Sequence, residues 1–245
     1  MVLRHFFWAV SLPFTLLMAP PATFGQGTNV LLSKSRLPSV ERKQALGVWL
    51  TNSPSPLYYD QQNIKQAVDE LEQAGFSVLY PNVWSRGTTF HTSEFAPIEP
   101  ALKSAGVTVD PICTLSKEAH KRGMKVVPWF EYGLMEPASA KVVQNNPNWV
   151  LSRANGDPVM KMHGKEMVWL NPAHPQVRER FIGLVVEVMK RCRMDGLQLD
   201  DHFAWPVELG YDPYTSGLYK AEFGIAPPRD YTNRYWMTWR RRQLT

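Results

Sequence analysis

The 245-residue sequence has little of what metal, thiol and phosphate chemistry require. It has six histidines and two cysteines, and the histidines stand at scattered positions without the spacing of a metal site. It lacks a G-x-S-x-G nucleophile elbow and a glycine-rich phosphate loop after any predicted strand. We therefore expect no metal and no cofactor, and a metal-dependent hydrolase is the weakest of the functions considered below.

An excess of basic charge within the body of the chain is also lacking. Five of the 27 basic residues lie at the ends: Arg4, Arg234, Arg240, Arg241 and Arg242. The remaining 22 equal the 22 acidic residues in number. A nucleic-acid binder needs a basic stripe on its fold to neutralise several phosphates, so we expect no nucleic acid as a partner.

A long hydrophobic run is absent as well, although the N-terminus is apolar. Arg4 and His5 precede the apolar stretch Phe6–Ala19, which Pro13 interrupts. This stretch is shorter than the roughly 20 residues of a spanning helix, and it has the pattern of a signal peptide over residues 1–27. We expect a secreted or periplasmic protein whose mature chain has no membrane span.

The two cysteines could form a disulfide bond in an exported protein. In the predicted elements, Cys113 opens one helix and Cys192 closes the next, so the two should lie at opposite ends of the helical layer. A helix of about 11 residues is about 16 Å long, whereas a disulfide needs Cα atoms within about 7 Å. We therefore expect no disulfide.

Apolar runs of strand length alternate with amphipathic helices from Leu46 onward, which indicates a parallel sheet. The predicted strands are Leu46–Thr51, Ser77–Val83, Lys125–Phe130 and Gly196–Asp200. Short turns, at Gly75-Phe76, Gly123-Met124 and Asp195-Gly196, lead from helix to strand, while the loops that follow the strands are long. This asymmetry favours an α/β fold of the (β/α)8 barrel type over a doubly wound sheet.

The predicted domain organisation places a linker at residues 28–45 and the barrel units at residues 46–245. A complete barrel needs about 250 residues, so we expect the first four to five β/α units, the N-terminal part of a barrel. The segment Tyr231–Thr245 is predicted to form one further amphipathic helix.

Three carboxylates stand at predicted strand ends. In Asp195-Gly-Leu-Gln-Leu-Asp-Asp201, strand alternation places Leu197 and Leu199 on the helix side and Asp200 toward the barrel mouth. Glu131 ends the third strand in the same phase. Glycoside hydrolysis uses two carboxyl groups about 5 to 10 Å apart, so Asp200, Asp201 and Glu131 are the catalytic candidates. The alternative is structural, with Asp201 as a cap and Asp200 paired with an arginine such as Arg86.

Aromatic and polar side chains crowd the same strand ends. Sugar rings stack on aromatic faces, and amides and guanidinium groups bind hydroxyls. Any single ring is nevertheless more often part of a core than of a binding platform. The candidate substrate-binding residues are Trp49, Asn52, Asn82, Trp84, Arg86, Trp129, Tyr132, His202 and Tyr211.

These motifs together resemble the glycosyl-hydrolase-like family 10 domain. The matching pieces are Gly47-Val-Trp-Leu-Thr-Asn52, Tyr80-Pro-Asn-Val-Trp-Ser-Arg-Gly87, Glu118-Ala-His-Lys-Arg-Gly123, Trp129-Phe-Glu-Tyr-Gly133, Trp169-Leu-Asn-Pro172 and Asp195 to Asp201, with Tyr211-Asp212 and Trp236-Met-Thr-Trp-Arg240 later in the chain. The resemblance implies a barrel in which Asp200, which closes the D-G-x-x-x-D strand, is the nucleophile or key carboxylate. It also implies that the acid/base lies on a later strand.

The sequence thus favours an exported hydrolase that cleaves glycosidic bonds of a polysaccharide, such as a cell-envelope glycan. The competing hypothesis is a carbohydrate-binding protein on the same barrel that has no turnover.

Overall fold

The computed structural model describes residues 45–52, 55–162 and 164–244. The predicted signal peptide and nearly all of the predicted linker lie outside the described residues. Within the described ranges, no helix combines the length and apolar character needed to cross a membrane.

Strands and helices alternate along most of the described chain. The described strands are β1 (Gly47–Leu50), β2 (Val78–Ser85), β3 (Thr88–Thr89), β4 (Lys125–Val126), β5 (Trp129–Phe130), β6 (Met135–Pro137), β7 (Met160–Met162), β8 (Lys165–Trp169) and β9 (Gln198–Leu199). The described helices are α1 (Gln61–Gln73), α2 (Pro100–Ser104), α3 (Pro111–Lys121), α4 (Lys141–Asn145), α5 (Pro175–Arg191), α6 (Pro213–Phe223) and α7 (Arg234–Leu244).

The main sheet is parallel in the order β1, β2, β5 and β9. The third predicted strand is split into β4 and β5, and Pro128, which has no N–H to donate, lies in the gap between them. The predicted α/β class with a parallel sheet is confirmed.

One face of this sheet is buried against helices. Leu79, Val126 and Phe130 on that face have no exposed surface. The helices cover it with apolar stripes at the helical period, formed by Ile64, Val68, Ile112, Leu115, Val177, Phe181, Leu184 and Val188.

Leu197 and Leu199 share the phase of that buried face but are not covered by helices as predicted. They are 44% and 37% exposed, because β9 is the edge strand of the described sheet.

A second, antiparallel sheet in the order β6, β8 and β7 fills the long loop after β5. Glu136 of β6 is buried and accepts a hydrogen bond of 2.9 Å from Arg180 of α5. The Arg180 guanidinium also lies over the Trp84 ring, 5.2 Å from its centroid. Burial raises the pKa of the Glu136 carboxyl, and the charge of Arg180 opposes that rise. This contact fastens the second sheet to the barrel units.

Cys113 and Cys192 form a disulfide bond, with Cα atoms 4.4 Å apart, so the prediction of no disulfide was wrong. That prediction assumed that α3 and α5 lie side by side with their last residues next to each other. Instead, α5 ends beside the first turn of α3, and the following residues run along α3 until Asp195 reaches His120. The His120 Nε2 atom lies 2.7 Å from Asp195 Oδ2.

The predicted last helix is present as α7. Its rings Trp236 and Trp239 pack with Tyr219 of α6 in a small cluster of buried side chains. Arg240 is buried and donates hydrogen bonds of 2.6 Å to the carbonyls of Val207 and Leu209. This guanidinium therefore holds α7 against the loop that precedes α6.

Candidate active site

Two of the predicted catalytic carboxylates follow neighbouring strands. Trp129 of β5 pairs with Gln198 of β9, and Glu131 and Asp200 stand two residues further along each strand. Side chains two apart lie on the same face, and adjacent strands are about 4.8 Å apart. The register therefore directs both carboxylates to one face at the carboxyl end of the sheet.

Asp200 accepts two hydrogen bonds. Its Oδ2 atom accepts from Trp129 Nε1 at 2.6 Å, and its Oδ1 atom accepts from the Asp201 backbone N–H at 2.8 Å. The Trp129 side chain thus orients the carboxylate from the adjacent strand. In the structural alternative Asp200 would pair with an arginine, and no such ion pair occurs among the described residues.

Glu131 is held by side chains of β2. Its Oε2 atom accepts hydrogen bonds from Asn82 Nδ2 at 2.6 Å and from Ser85 Oγ at 3.1 Å. Asn82 is fully buried, and its Nδ2 atom also lies 3.4 Å from Asn52 Oδ1. Asn82 was predicted to bind substrate, but the structure buries it behind Glu131, where it positions the carboxylate.

An irregularity in β2 decides which of its side chains reach the site. The pairing shifts between Asn82, which faces Trp129, and Trp84, which faces Phe130. Such a bulge moves the following residues to the opposite face. Ser85 therefore points to Glu131, while Trp84 is only 1% exposed and donates to the Gly133 carbonyl at 3.0 Å. The structure therefore does not bring Trp84 to the site, whereas the prediction that it binds substrate assumed unbroken alternation along β2.

Glu131 also borders a cavity of about 320 Å³. Its lining residues are Arg86, Glu131, Tyr132, Met135, Met162, Lys165, Met167 and His202. Of these, Glu131 was predicted from the sequence as catalytic, and Arg86, Tyr132 and His202 were predicted as substrate-binding. The wall supplied by the second sheet was not predicted, and neither was Ser85. The Met-Lys-Met run of β7, separated from β8 by the two residues His163-Gly164, was the available signal for a hairpin.

His202 and Tyr132 form the floor between the two strand ends. Their rings stack with centroids 5.4 Å apart, and His202 Nδ1 lies 2.9 Å from the Glu131 carbonyl oxygen. Burial raises the pKa of the Tyr132 hydroxyl, and the nearby Arg86 cation opposes that rise. Gly133 permits this close approach, because a Cβ there would lie 2.5 Å from the Phe203 nitrogen.

Asp201 lies apart from the other two carboxylates. Its side chain is 84% exposed, and its Oδ1 atom is 3.4 Å from His202 Nδ1. The structure therefore directs Asp201 toward solvent. There its carboxylate lies near His202 and does not face Glu131.

The remaining aromatic candidates fall into two groups. Trp49 is 53% exposed, stacks on Tyr80 with ring centroids 4.9 Å apart, and donates to Gln198 Oε1 at 3.0 Å. It therefore offers an open ring face on the same side of the sheet as Asp200. Tyr211 instead packs on Trp236 and donates to the Pro228 carbonyl at 2.9 Å, so the structure does not bring it to the cavity.

Two other motif residues meet in a buried network. Asn171 donates to Asp212 Oδ1 at 3.2 Å and to Thr215 Oγ1 at 2.8 Å. Asp212 also caps α6 by accepting from the Thr215 backbone N–H at 3.0 Å. Burial raises the pKa of the Asp212 carboxyl, and hydrogen bonds from Thr215 and Asn171 oppose the rise. This network joins the end of the β8 segment to α6 and has a structural role.

Comparison with known proteins shows what the chain is similar to. A sequence model of the family described as "Glycosyl hydrolase-like 10" matches residues 44–245. The chain is 26% identical over 208 residues to the glycosyl hydrolase DigH of Escherichia coli (strain K12), which covers 75% of this chain and 44% of that protein. It is 18% identical over 189 residues to the glycosyl hydrolase YngK of Bacillus subtilis (strain 168), which covers 72% of this chain and 34% of that protein. The chain thus spans less than half the length of these curated relatives.

The fold is similar to that of (β/α)8-barrel glycosidases. The crystal structure of an α-amylase from Lactobacillus plantarum matches with a TM-score of 0.50 and 15% identity, over 74% of this chain and 43% of that chain. At this identity the likeness concerns the fold alone. The family resemblance inferred from the motifs and the predicted barrel-type fold class are both confirmed.

Proposed function

Because the chain belongs to the glycosyl hydrolase-like 10 family, we propose that it is an exported enzyme that hydrolyses glycosidic bonds of a polysaccharide. The observation that carries this proposal is the pair of carboxylates, Asp200 and Glu131, at the ends of adjacent strands. A family match and a barrel fold could also belong to a protein without activity. A pair of oriented carboxylates at the carboxyl end of the sheet is what the chemistry requires.

In this proposal Asp200 is the principal carboxylate. Hydrogen bonds from Trp129 and from the Asp201 backbone hold it in one orientation, so it can attack or stabilise an anomeric carbon that becomes positively charged in the transition state. A preorganised anion of this kind does not need to reorient as the reaction proceeds.

Glu131 has an assisting role. Its Oε2 atom is occupied by Asn82 and Ser85, and the residue borders the cavity. The free oxygen can accept a hydrogen bond from a sugar hydroxyl, or, when protonated, give its proton to the glycosidic oxygen as the bond to the anomeric carbon breaks. Trp49 supplies a stacking face, and Arg86, Lys165 and His202 supply donors for sugar oxygens. We propose the same substrate class as above, a polysaccharide such as a cell-envelope glycan.

Two observations support export. The first residues have the pattern of a signal peptide, and the Cys113–Cys192 disulfide is of the kind that persists in oxidising compartments.

Substitution of the two aspartates tests the enzymatic proposal. In the whole protein, Asp200→Asn should reduce the release of reducing ends from a polysaccharide by at least about a hundredfold, while the melting temperature and oligosaccharide binding change little. Asp201→Asn is the matched control, because Asp201 is exposed, and it should retain most of the activity.

The outcomes separate the hypotheses. Normal turnover per folded molecule in a destabilised Asp200→Asn protein would assign the residue a structural role. Oligosaccharide binding by the native protein without release of reducing ends would instead favour the carbohydrate-binding protein. Glu131→Gln, measured in the same way, should show a loss of about 10²-fold or more if Glu131 transfers a proton, and a smaller loss if it only binds a hydroxyl.

A further inference from the structure

Four helices end with the same backbone hydrogen bond. In each, the second residue after the cap donates to the carbonyl five residues earlier: Phe76 to Leu71 at 3.0 Å, Val107 to Leu102 at 3.0 Å, Met124 to Ala119 at 3.1 Å and Met194 to Met189 at 3.3 Å. In this motif the residue directly after the cap adopts a positive φ, and glycine is preferred there.

Three of the four ends have glycine at that position, and the fourth has arginine. The glycines are Gly75, Gly106 and Gly123, with φ of 87°, 72° and 71°. Arg193 follows α5 with φ of 54°. A side chain with a Cβ is disfavoured in this conformation. The turn after α5 was predicted at Asp195-Gly196, and the structure shows that the left-handed residue is Arg193 instead.

Among the described residues, no contact of the Arg193 side chain offsets the cost of its positive φ. Within the described residues, Arg193 makes no hydrogen bond or ion pair, and its side chain is exposed. The Arg193 side chain thus makes no contact that stabilises the protein, although its backbone conformation is unfavourable. This combination indicates that the side chain binds something other than the protein itself.

Arg193 lines a recess of about 550 Å³ between α3 and the end of α5. The lining residues are Cys113, Ser116, Lys117, His120, Lys121, Arg191, Cys192 and Arg193. Four of them carry a fixed positive charge and none carries a negative one. The disulfide between Cys113 and Cys192 joins the two helices at this point, so the recess has a covalently fixed wall.

The acids around the recess are already bound. Asp110, whose carboxylate lies within 4.8 Å of the Cys113 and Cys192 sulfur atoms, accepts hydrogen bonds from the Cys113 and Thr92 backbone N–H groups at 3.0 and 2.9 Å. Glu118 lies 2.7 Å from Lys121 Nζ, and Asp195 lies 2.7 Å from His120 Nε2 and 2.8 Å from Lys125 Nζ. Glu187 accepts from the Glu94 backbone N–H at 2.8 Å and lies 3.7 Å from Arg191.

Three lining groups lack partners. Like Arg193, Lys117 has no hydrogen bond or ion pair within the described residues. The Ser116 hydroxyl is buried, and the described part of the chain offers it no hydrogen-bond partner. Two exposed and unpaired cations, Lys117 and Arg193, therefore remain for a ligand, whereas the Ser116 hydroxyl has no surface open to the recess.

We propose that this recess binds a phosphate group. The planar guanidinium of Arg193 can donate two parallel hydrogen bonds to phosphate oxygens, and Lys117 adds a point charge. The recess shares no lining residue with the cavity beside Glu131, and neither Asp200 nor Glu131 lines it. The site is therefore separate from the candidate active site, and the proposal does not depend on the proposed function.

Titration of the full chain at low salt tests the site, because salt screens exposed charges. Inorganic phosphate, followed by calorimetry, represents a free phosphate or small ester. Vesicles of phosphatidylglycerol, with phosphatidylcholine vesicles as the reference, represent a lipid headgroup. The variants are Lys117→Gln and Arg193→Gly, and Lys65→Gln on the exposed face of α1 is the control with the same change of charge.

Binding in at least one arm should weaken about tenfold or more in Lys117→Gln and in Arg193→Gly, and it should persist in Lys65→Gln. The arm that shows binding identifies the source of the phosphate. Arg193→Gly should keep or raise the melting temperature, because glycine suits the positive φ. The proposal is overturned if the native chain binds in neither arm or if all three variants bind equally. A lower melting temperature of Arg193→Gly would overturn the premise that arginine is unfavourable at this positive φ.

Discussion

Asp195 provides a test of how the turn after α5 is held, and its contribution to stability can be worked out from its contacts. The carboxylate accepts hydrogen bonds from Lys125 Nζ at 2.8 Å and from the Val126 backbone N–H at 2.9 Å, and it lies 2.7 Å from His120 Nε2. Burial alone would raise the pKa of this carboxyl. The bonds from Lys125, His120 and Val126 outweigh it and hold the pKa at about 2, against an ordinary value of 3.8.

That difference in pKa corresponds to about 2.5 kcal/mol between the folded and unfolded chains. The side chain is 19% exposed, and Lys125 is mostly in solvent, so screening reduces the expected contribution to about 1–2 kcal/mol. Because the pKa is lowered on folding, the stabilisation is complete above pH 3.8 and is lost as the pH falls toward 2. Asp195→Asn should therefore destabilise the protein at pH 7 and make progressively less difference below about pH 4.

Urea unfolding of the native protein and of Asp195→Asn at pH 7, 5, 4 and 3 measures this difference directly. Asp157→Asn is a suitable control. Asp157 lies 2.9 Å from Arg153 and accepts from the Val159 backbone N–H at 2.9 Å, but its side chain is 50% exposed. Asp157→Asn should lower the free energy of unfolding by less than about 1 kcal/mol. An Asp195→Asn loss that is the same at pH 3 and pH 7, or no loss at either pH, would refute the electrostatic argument.

Three further changes test other parts of the structure. Replacing Cys113 and Cys192 together by alanine should lower the free energy of unfolding by about 4 kcal/mol, because their bond closes a loop over a sequence separation of 79; reductant should destabilise the native protein but not this variant. Arg180→Met should lower the free energy of unfolding by about 3–5 kcal/mol, because it leaves the buried Glu136 carboxylate unpaired. The double variant Arg180→Met, Glu136→Gln should recover most of this stability in thermal melts. Gly133→Ala should displace the loop after β9, because φ is +49° and the new Cβ would meet backbone at 2.5 Å; a variant with native activity and melting temperature would contradict this.

The regular part of the fold could be predicted because its signals are local. The apolar stripe of α5 and the proline that begins it define that helix within the sequence. Alternation along β9 likewise places Asp200 on the face opposite Leu199, whatever covers the leucine. The position of Asp200 therefore followed from the strand period alone.

The second sheet and the disulfide could not be predicted in the same way. The strands β7 and β8 contain Met and Lys residues of modest strand propensity. They pair with each other, β8 also pairs with β6, and Arg180 of α5 binds Glu136 of β6, and no local pattern records these contacts. The Cys113–Cys192 bond depends on where α5 ends relative to α3. That level is set by packing, so an argument from helix length alone reached the wrong conclusion.

The partners of the carboxylates depend on departures from regular strand geometry. If β2 alternated without interruption, Trp84 would face Glu131 and Ser85 would face the helices. The shift in pairing after Asn82 reverses both, so a small hydroxyl meets the carboxylate and the large ring is buried. The same reasoning applies at Gly133, where the lack of a Cβ allows the loops after two strands to touch. Periodicity thus predicts which acids reach the mouth of the sheet. The hydrogen bonds that orient Glu131 arise at the bulge, where periodicity fails, and a bulge of one residue leaves no signal in an apolar strand.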